Sequence, residues 1–104
     1  MASLALDNDT LEDLETIQET DLESLWRVLI HNDDVTPMDF VVDILVNLFF
    51  VDGPRAIDIM LTAHTMGIAY VTTLPKNEAE KRVGKAHFAA SLEGFPLRFS
   101  LEPE

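Results

Sequence analysis

Trp26–Phe40, WRVLIHNDDVTPMDF, passes from a strand into the first turn of a helix. Arg27, Leu29 and His31 alternate with Val28, Ile30 and Asn32, the period-2 pattern of a strand with two unlike faces. Asn32, Asp33 and Asp34 stop that run. Thr36-Pro37-Met38-Asp39 follows, with Thr36 expected as N-cap, Pro37 at the first helical position and Asp39 closing a capping box. Two carboxylates and an amide therefore stand on a short strand-to-helix loop. By residue type alone the loop is a polar turn with good caps. Placed beside an apolar hole, the same atoms become acceptors at a binding site.

The neighbouring helix is what makes such a hole conceivable. From Pro37 to about Val51 the only polar residues are Asp39, Asp43 and Asn47, one thin solvent stripe on an otherwise apolar helix. Asp52-Gly53-Pro54 opens a second helix, and Gly67 ends it. On that helix Met60, Ala63, His64 and Gly67 lie along one side. They read as core packing unless they share a pocket with Asn32 and Asp33. Ile68–Leu74 is β-branched and aromatic, a strand that Pro75 is expected to end. A third helix runs from Lys76 or Asn77 to about Leu92, turning Ala79, Val83, Ala86 and Ala90 inward and pairing Glu78 with Arg82. After Gly94, the alternation Phe95–Leu101 predicts a last strand, placed at a sheet edge by Pro96. The order is βααβαβ. The fold class is α+β, a three-stranded antiparallel sheet packed against three helices.

Residues 1–25 hold eight of the nineteen acidic residues and no Lys or Arg. Their mutual repulsion predicts a mobile acidic N-terminal extension (1–25) before a single core domain, 26–104. The net charge of −12 argues against nucleic acid or an anionic membrane as partner and suits a cationic one. No apolar run is long enough to span a bilayer, and the N-terminus lacks secretory and transit patterns. With no cysteine there is no disulfide or thiol nucleophile, which suits a reducing, cytoplasmic setting. Asp33, Asp34 and His64 are residue types for acid–base work, but no nucleophile motif, P-loop or glycine-rich cradle accompanies them. His31 and Asp33 occupy one turn without a second spaced ligand pair. Neither enzymatic activity, nor a metal, nor a cofactor is expected.

Asn32-Asp33-Asp34-Val35-Thr36-Pro37-Met38-Asp39-Phe40-Val41, then Arg55-Ala56 and Met60-Leu61-Thr62-Ala63-His64-Thr65-Met66-Gly67, resembles the ClpS family of Clp protease adaptors. The likeness extends from about Trp26 to Glu102, with the motifs in the family's order and spacing. It implies an adaptor that captures proteins bearing Leu, Phe, Tyr or Trp at the N-terminus, the N-degrons of the N-end rule. It further implies delivery to a ClpA- or ClpC-type AAA+ unfoldase of the Clp protease by a protein expected to be a monomer. It gives Asn32, Asp33 and His64 the substrate α-amine, and Thr36, Met38, Val41, Met60, Ala63 and Leu97 the substrate side chain. Ala63 and Val35 stand where many relatives carry larger residues, β-branched and aromatic respectively. For docking on the ATPase N-terminal domain it implies Asn77, at a family glutamate position, with Glu78 beside it, and Arg82, at a family lysine position. The tail is implied to reach into the ATPase. The alternative is a paralogous interaction domain of the same fold that recognises other substrates, or modulates the ATPase, without binding N-terminal residues.

Overall fold

The computed structural model describes residues 24–104; the acidic extension, apart from its last two residues, lies outside them. The order is β1 (Leu25–His31), α1 (Met38–Phe49), α2 (Gly53–Met66), β2 (Ile68–Pro75), α3 (Lys76–Leu92) and β3 (Arg98–Pro103). This is the expected α+β arrangement of three strands and three helices. β1 is central in an antiparallel sheet of order β2-β1-β3. Its alternation does what the pattern dictates: Val28 and Ile30 are 0% and 1% exposed, while Arg27 on the other face meets Glu102 of β3 at 3.2 Å. Apolar residues of all three helices close over the buried face. Val41, Ile44, Leu45 and Phe49 come from α1, Ala56, Ile59 and Ala63 from α2, and Ala79, Val83, Ala86 and Ala90 from α3. The four small or short residues of α3 let that helix lie near the sheet. Phe49 and Phe99 fill the space between α1 and β3, their ring centroids 4.9 Å apart.

Three local expectations are corrected. The capping box does not form, because Asp33, upstream, takes the donors first: Thr36 gives its hydroxyl to Asp33 Oδ2 and its N–H to Asp33 Oδ1. Pro37 is then the residue that precedes α1, with no side-chain cap, and Asp39 Oδ1 accepts only from Phe40 N–H. The last strand begins at Arg98 rather than Phe95, since Gly94 (φ 75°) and Pro96 keep the chain in a turn, although β3 is indeed an edge. β2 runs through Pro75, which an edge strand tolerates at its end. Asp52 does cap α2, its Oδ1 accepting from Arg55 N–H at 2.8 Å. Gly67 ends the helix at φ 88°, a conformation that only glycine adopts freely.

The register of β1 on β2 skips between Val28 and Leu29, so that Val71 is the extra residue of a bulge. Its side chain is buried and its carbonyl accepts from Arg55 Nη2 at 2.7 Å. The bond ties α2 to the edge strand β2.

His87 joins α3 to β3. Its Nε2 accepts the Phe99 N–H at 2.9 Å, which leaves the proton on Nδ1. Burial, and secondarily the positive charge of Arg98, lowers its pKa below the ordinary imidazole value of 6.5. His31 shifts the same way for the same two reasons. With the folded pKa depressed, the unfolded chain binds protons first. The stabilisation is therefore complete above the ordinary imidazole range and lost as the pH falls below it toward the folded values. The urea midpoint is expected to be lower at pH 5 than at pH 7.5. In His87→Gln, which keeps an acceptor for Phe99 but does not titrate, the difference should shrink. An equal difference in both proteins would remove His87 as its source.

Candidate functional site

β1 runs out of the sheet at His31, and the next residue fastens the loop to the far helix. Asn32 N–H donates to the Gly67 carbonyl at 3.0 Å, so the loop after β1 and the C-terminal end of α2 lie side by side. Between them opens a hollow of about 160 Å³. Asn32, Asp33, Asp34 and Thr36 of the loop, Met38 and Val41 of α1, Met60, Ala63 and His64 of α2, and Leu97 before β3 line it, with Ile30 and His31 of β1. All nine residues expected at the α-amine and side-chain sites thus share one cavity. Ile30, His31 and Asp34 are additional. Ile30 was legible, because it shares the strand face of Asn32 at a spacing of two. A dry cavity of about 150 Å³ takes a benzene ring, so this one matches a single large side chain and not an extended peptide.

The wall and the rim differ in chemistry. Val41, Ala63 and Leu97 are buried and, with the partly exposed Met38 and Met60, make an apolar wall that two flexible thioethers can adjust. Ala63, 4% exposed, contributes only a methyl group. Around the mouth stand the exposed Asn32, Asp34 and His64 and the half-buried Asp33.

Asp33 organises this rim. Its Oδ1 accepts from the N–H groups of Val35 at 2.9 Å and Thr36 at 2.6 Å, and its Oδ2 from the Thr36 hydroxyl at 2.9 Å. Partial desolvation pushes the carboxyl's pKa up, but the bonds from Thr36 N–H, Val35 N–H and the Thr36 hydroxyl together outweigh it. The net shift is downward from 3.8. Asp33 is therefore an anion at neutral pH. A carboxylate has about four acceptor sites; with three taken, Oδ2 keeps one for a ligand donor.

His31 has both ring nitrogens engaged, Nδ1 accepting from Arg98 Nη2 at 3.2 Å and Nε2–H donating to Ser100 Oγ at 2.6 Å. It offers no lone pair to a metal. Among the described residues no three His, Cys, Asp or Glu side chains gather as a metal site. No helix among them is long and apolar enough to cross a membrane.

The second expected set lies outside the hollow. Asn77, Glu78 and Arg82 are on the first turns of α3. Arg82 donates through Nε and Nη2 to Glu78 Oε1 at 3.0 and 2.8 Å, and its guanidinium carbon lies 4.4 Å from the centroid of the Phe50 ring. Phe50 was not among the expected site residues, since it lies at the end of a helix that is apolar nearly all round.

A small α+β domain with an apolar hollow under a ring of acceptors has the make-up of a ligand-binding domain. The particular family follows from comparison. The profile of the ATP-dependent Clp protease adaptor protein ClpS matches residues 21–100. The chain is 42% identical over 95 residues to the ATP-dependent Clp protease adapter protein ClpS of Oleidesulfovibrio alaskensis, covering 89% of this chain and 91% of that one. Its counterpart in Desulfotalea psychrophila is 42% identical over 98 residues, 94% and 92% of the two chains. The structure of Agrobacterium tumefaciens ClpS2 bound to L-phenylalaninamide superposes with a TM-score of 0.74 at 36% identity, covering 78% of this chain and 98% of that one. The chain belongs to the ClpS family of Clp protease adaptors.

Proposed function

We propose that the hollow receives the first residue of a substrate protein, and that this protein carries such substrates to a ClpA- or ClpC-type unfoldase without hydrolysing anything itself. A large apolar first side chain (Leu, Phe, Tyr or Trp) enters between Met38, Val41, Met60, Ala63 and Leu97, with Thr36 at the edge. The α-ammonium, one bond from that side chain's Cα, donates to Asn32, to the free acceptor site on Asp33 and to His64. The observation that carries this reading is the meeting of outward-facing acceptors and an apolar wall in one hollow sized for one side chain. The phenylalaninamide bound by the Agrobacterium relative is a free α-amine next to an aromatic side chain, the same chemistry.

Energetics agree with capture by one residue. Micromolar affinity corresponds to about 8 kcal/mol. One buried side chain contributes about 1.5–3 kcal/mol, and each charge-assisted bond about 1.5–3 kcal/mol. Docking on the ATPase N-terminal domain falls to α3 through Asn77, Glu78 and Arg82, and the acidic extension 1–25 engages the unfoldase itself. The protein works as a monomer in the cytoplasm.

A fluorescence titration with a Phe-initiated peptide and its N-acetylated twin tests the reading. The free peptide is expected to bind with about micromolar affinity and the acetylated one at least about a hundredfold more weakly, having lost the ammonium and its bonds. Equal affinities would sink amine recognition and favour the paralogous interaction domain.

A further inference from the structure

Phe50 ends α1 with φ 57° and ψ 31°, and among the described residues no other non-glycine residue has a positive φ. Its N–H and that of Val51 both turn back to the Leu45 carbonyl. Glycine or asparagine is the ordinary occupant of such a position, because a Cβ crowds the neighbouring carbonyl. Neither the turn nor the core accounts for a phenylalanine here, since Phe49 is buried while Phe50 is 70% exposed. The disfavoured backbone thus holds a large ring out in solvent, the kind of outlier that points toward function.

The ring is held as well as exposed. It packs against Arg82, whose guanidinium is fixed from its other atoms by Glu78. A rigid aromatic beside a clamped arginine combines residue types enriched among interface hot spots and loses little conformational freedom on binding. The helix that Phe50 leans on is rich in cations for an acidic protein. Of seven Lys and Arg residues in a chain of net charge −12, Lys76, Lys81, Arg82 and Lys85 all lie on α3, against two acids, Glu78 and Glu80, so the helix is net positive. A surface of that sign attracts a partner face rich in carboxylates.

We propose that Phe50 is the apolar anchor of ATPase docking: its ring enters an apolar hollow on the ATPase N-terminal domain, and the cations of α3 face carboxylates at that hollow's border. The inference rests on the docking role given to α3 above, and adds a residue of α1 to it.

The test titrates the full chain against the isolated ATPase N-terminal domain by calorimetry. Phe50→Gly and Phe50→Asn, both suited to the backbone at this position, are expected to weaken binding about tenfold or more. Their thermal midpoints should be no lower than that of the unaltered protein, and their affinity for a Phe-initiated peptide unchanged. Phe50→Tyr, which keeps the ring, should dock normally. If Phe50→Gly and Phe50→Asn dock within about twofold of the unaltered protein while Arg82→Ala does not, α3 docking stands and the anchor is overturned. If the unaltered protein does not bind the domain, the docking reading falls and the anchor with it.

Discussion

Asp33→Asn is expected to weaken binding of a Phe-initiated peptide about ten- to a hundredfold, the equivalent of one charge-assisted bond to the ammonium. The exchange isolates charge from shape. Asparagine's Oδ1 still accepts from Val35 and Thr36 N–H, so the loop and the hollow persist, and the Thr36 hydroxyl need only rotate. The thermal midpoint should therefore fall little at pH 7. The pH profile adds a second reading. An unperturbed α-amine has a pKa of about 7.7–8.0, so affinity for the unaltered protein should decline as the pH rises above that range. No acid limb is expected from Asp33, whose carboxyl stays ionised below the usual carboxylate range. The stability that its hydrogen bonds give is likewise present above that range and lost only as the pH falls through the depressed value. Undiminished affinity in Asp33→Asn would mean that the ammonium finds its partner elsewhere.

Removing residues 1–22 is expected to abolish delivery in a reconstituted unfoldase and protease assay while peptide affinity stays within about twofold. The cut falls there because Ser24 and Leu25 belong to the fold: the Ser24 carbonyl accepts from Lys76 N–H at 2.9 Å, and the Leu25 carbonyl from Glu104 N–H at 3.1 Å. The removed stretch carries seven acids without a single Lys or Arg, and none of the residues that line the hollow. Undiminished delivery would reduce the extension to a solubilising segment. Lost peptide binding would make it part of the site.

What the residues disclose in advance follows from where their information lies. Val28 and Ile30 on β1, and Ala79, Val83, Ala86 and Ala90 on α3, announce their burial through spacing, since periods of 2 and 3.6 are local properties. The start of α1 misleads because Thr36 and Asp33 are both good capping residues, and which takes which donor depends on the path of the loop. The bulge at Val71 leaves no mark in a β-branched run, and the bond from Arg55, sixteen residues away, to the Val71 carbonyl is not local either. The hollow unites Asn32 with His64 and Leu97 from three separate parts of the chain. No periodicity joins them, and only family resemblance made the set legible. Phe49 and Phe50 are identical in type and opposite in fate, a division decided by where the helix stops.

The bond from Asn32 N–H to the Gly67 carbonyl has a consequence for timing. It fastens the two jaws of the hollow backbone to backbone, so the first residue proposed to enter there would require no hinge to open and no segment to order. Receptors of that kind meet different ligands at similar rates and discriminate among them by residence time. A first residue that fills the space badly arrives as often as a good one but departs sooner. On the proposed reading, selection among substrates would take place during the interval before the unfoldase pulls, and a longer interval would sharpen it.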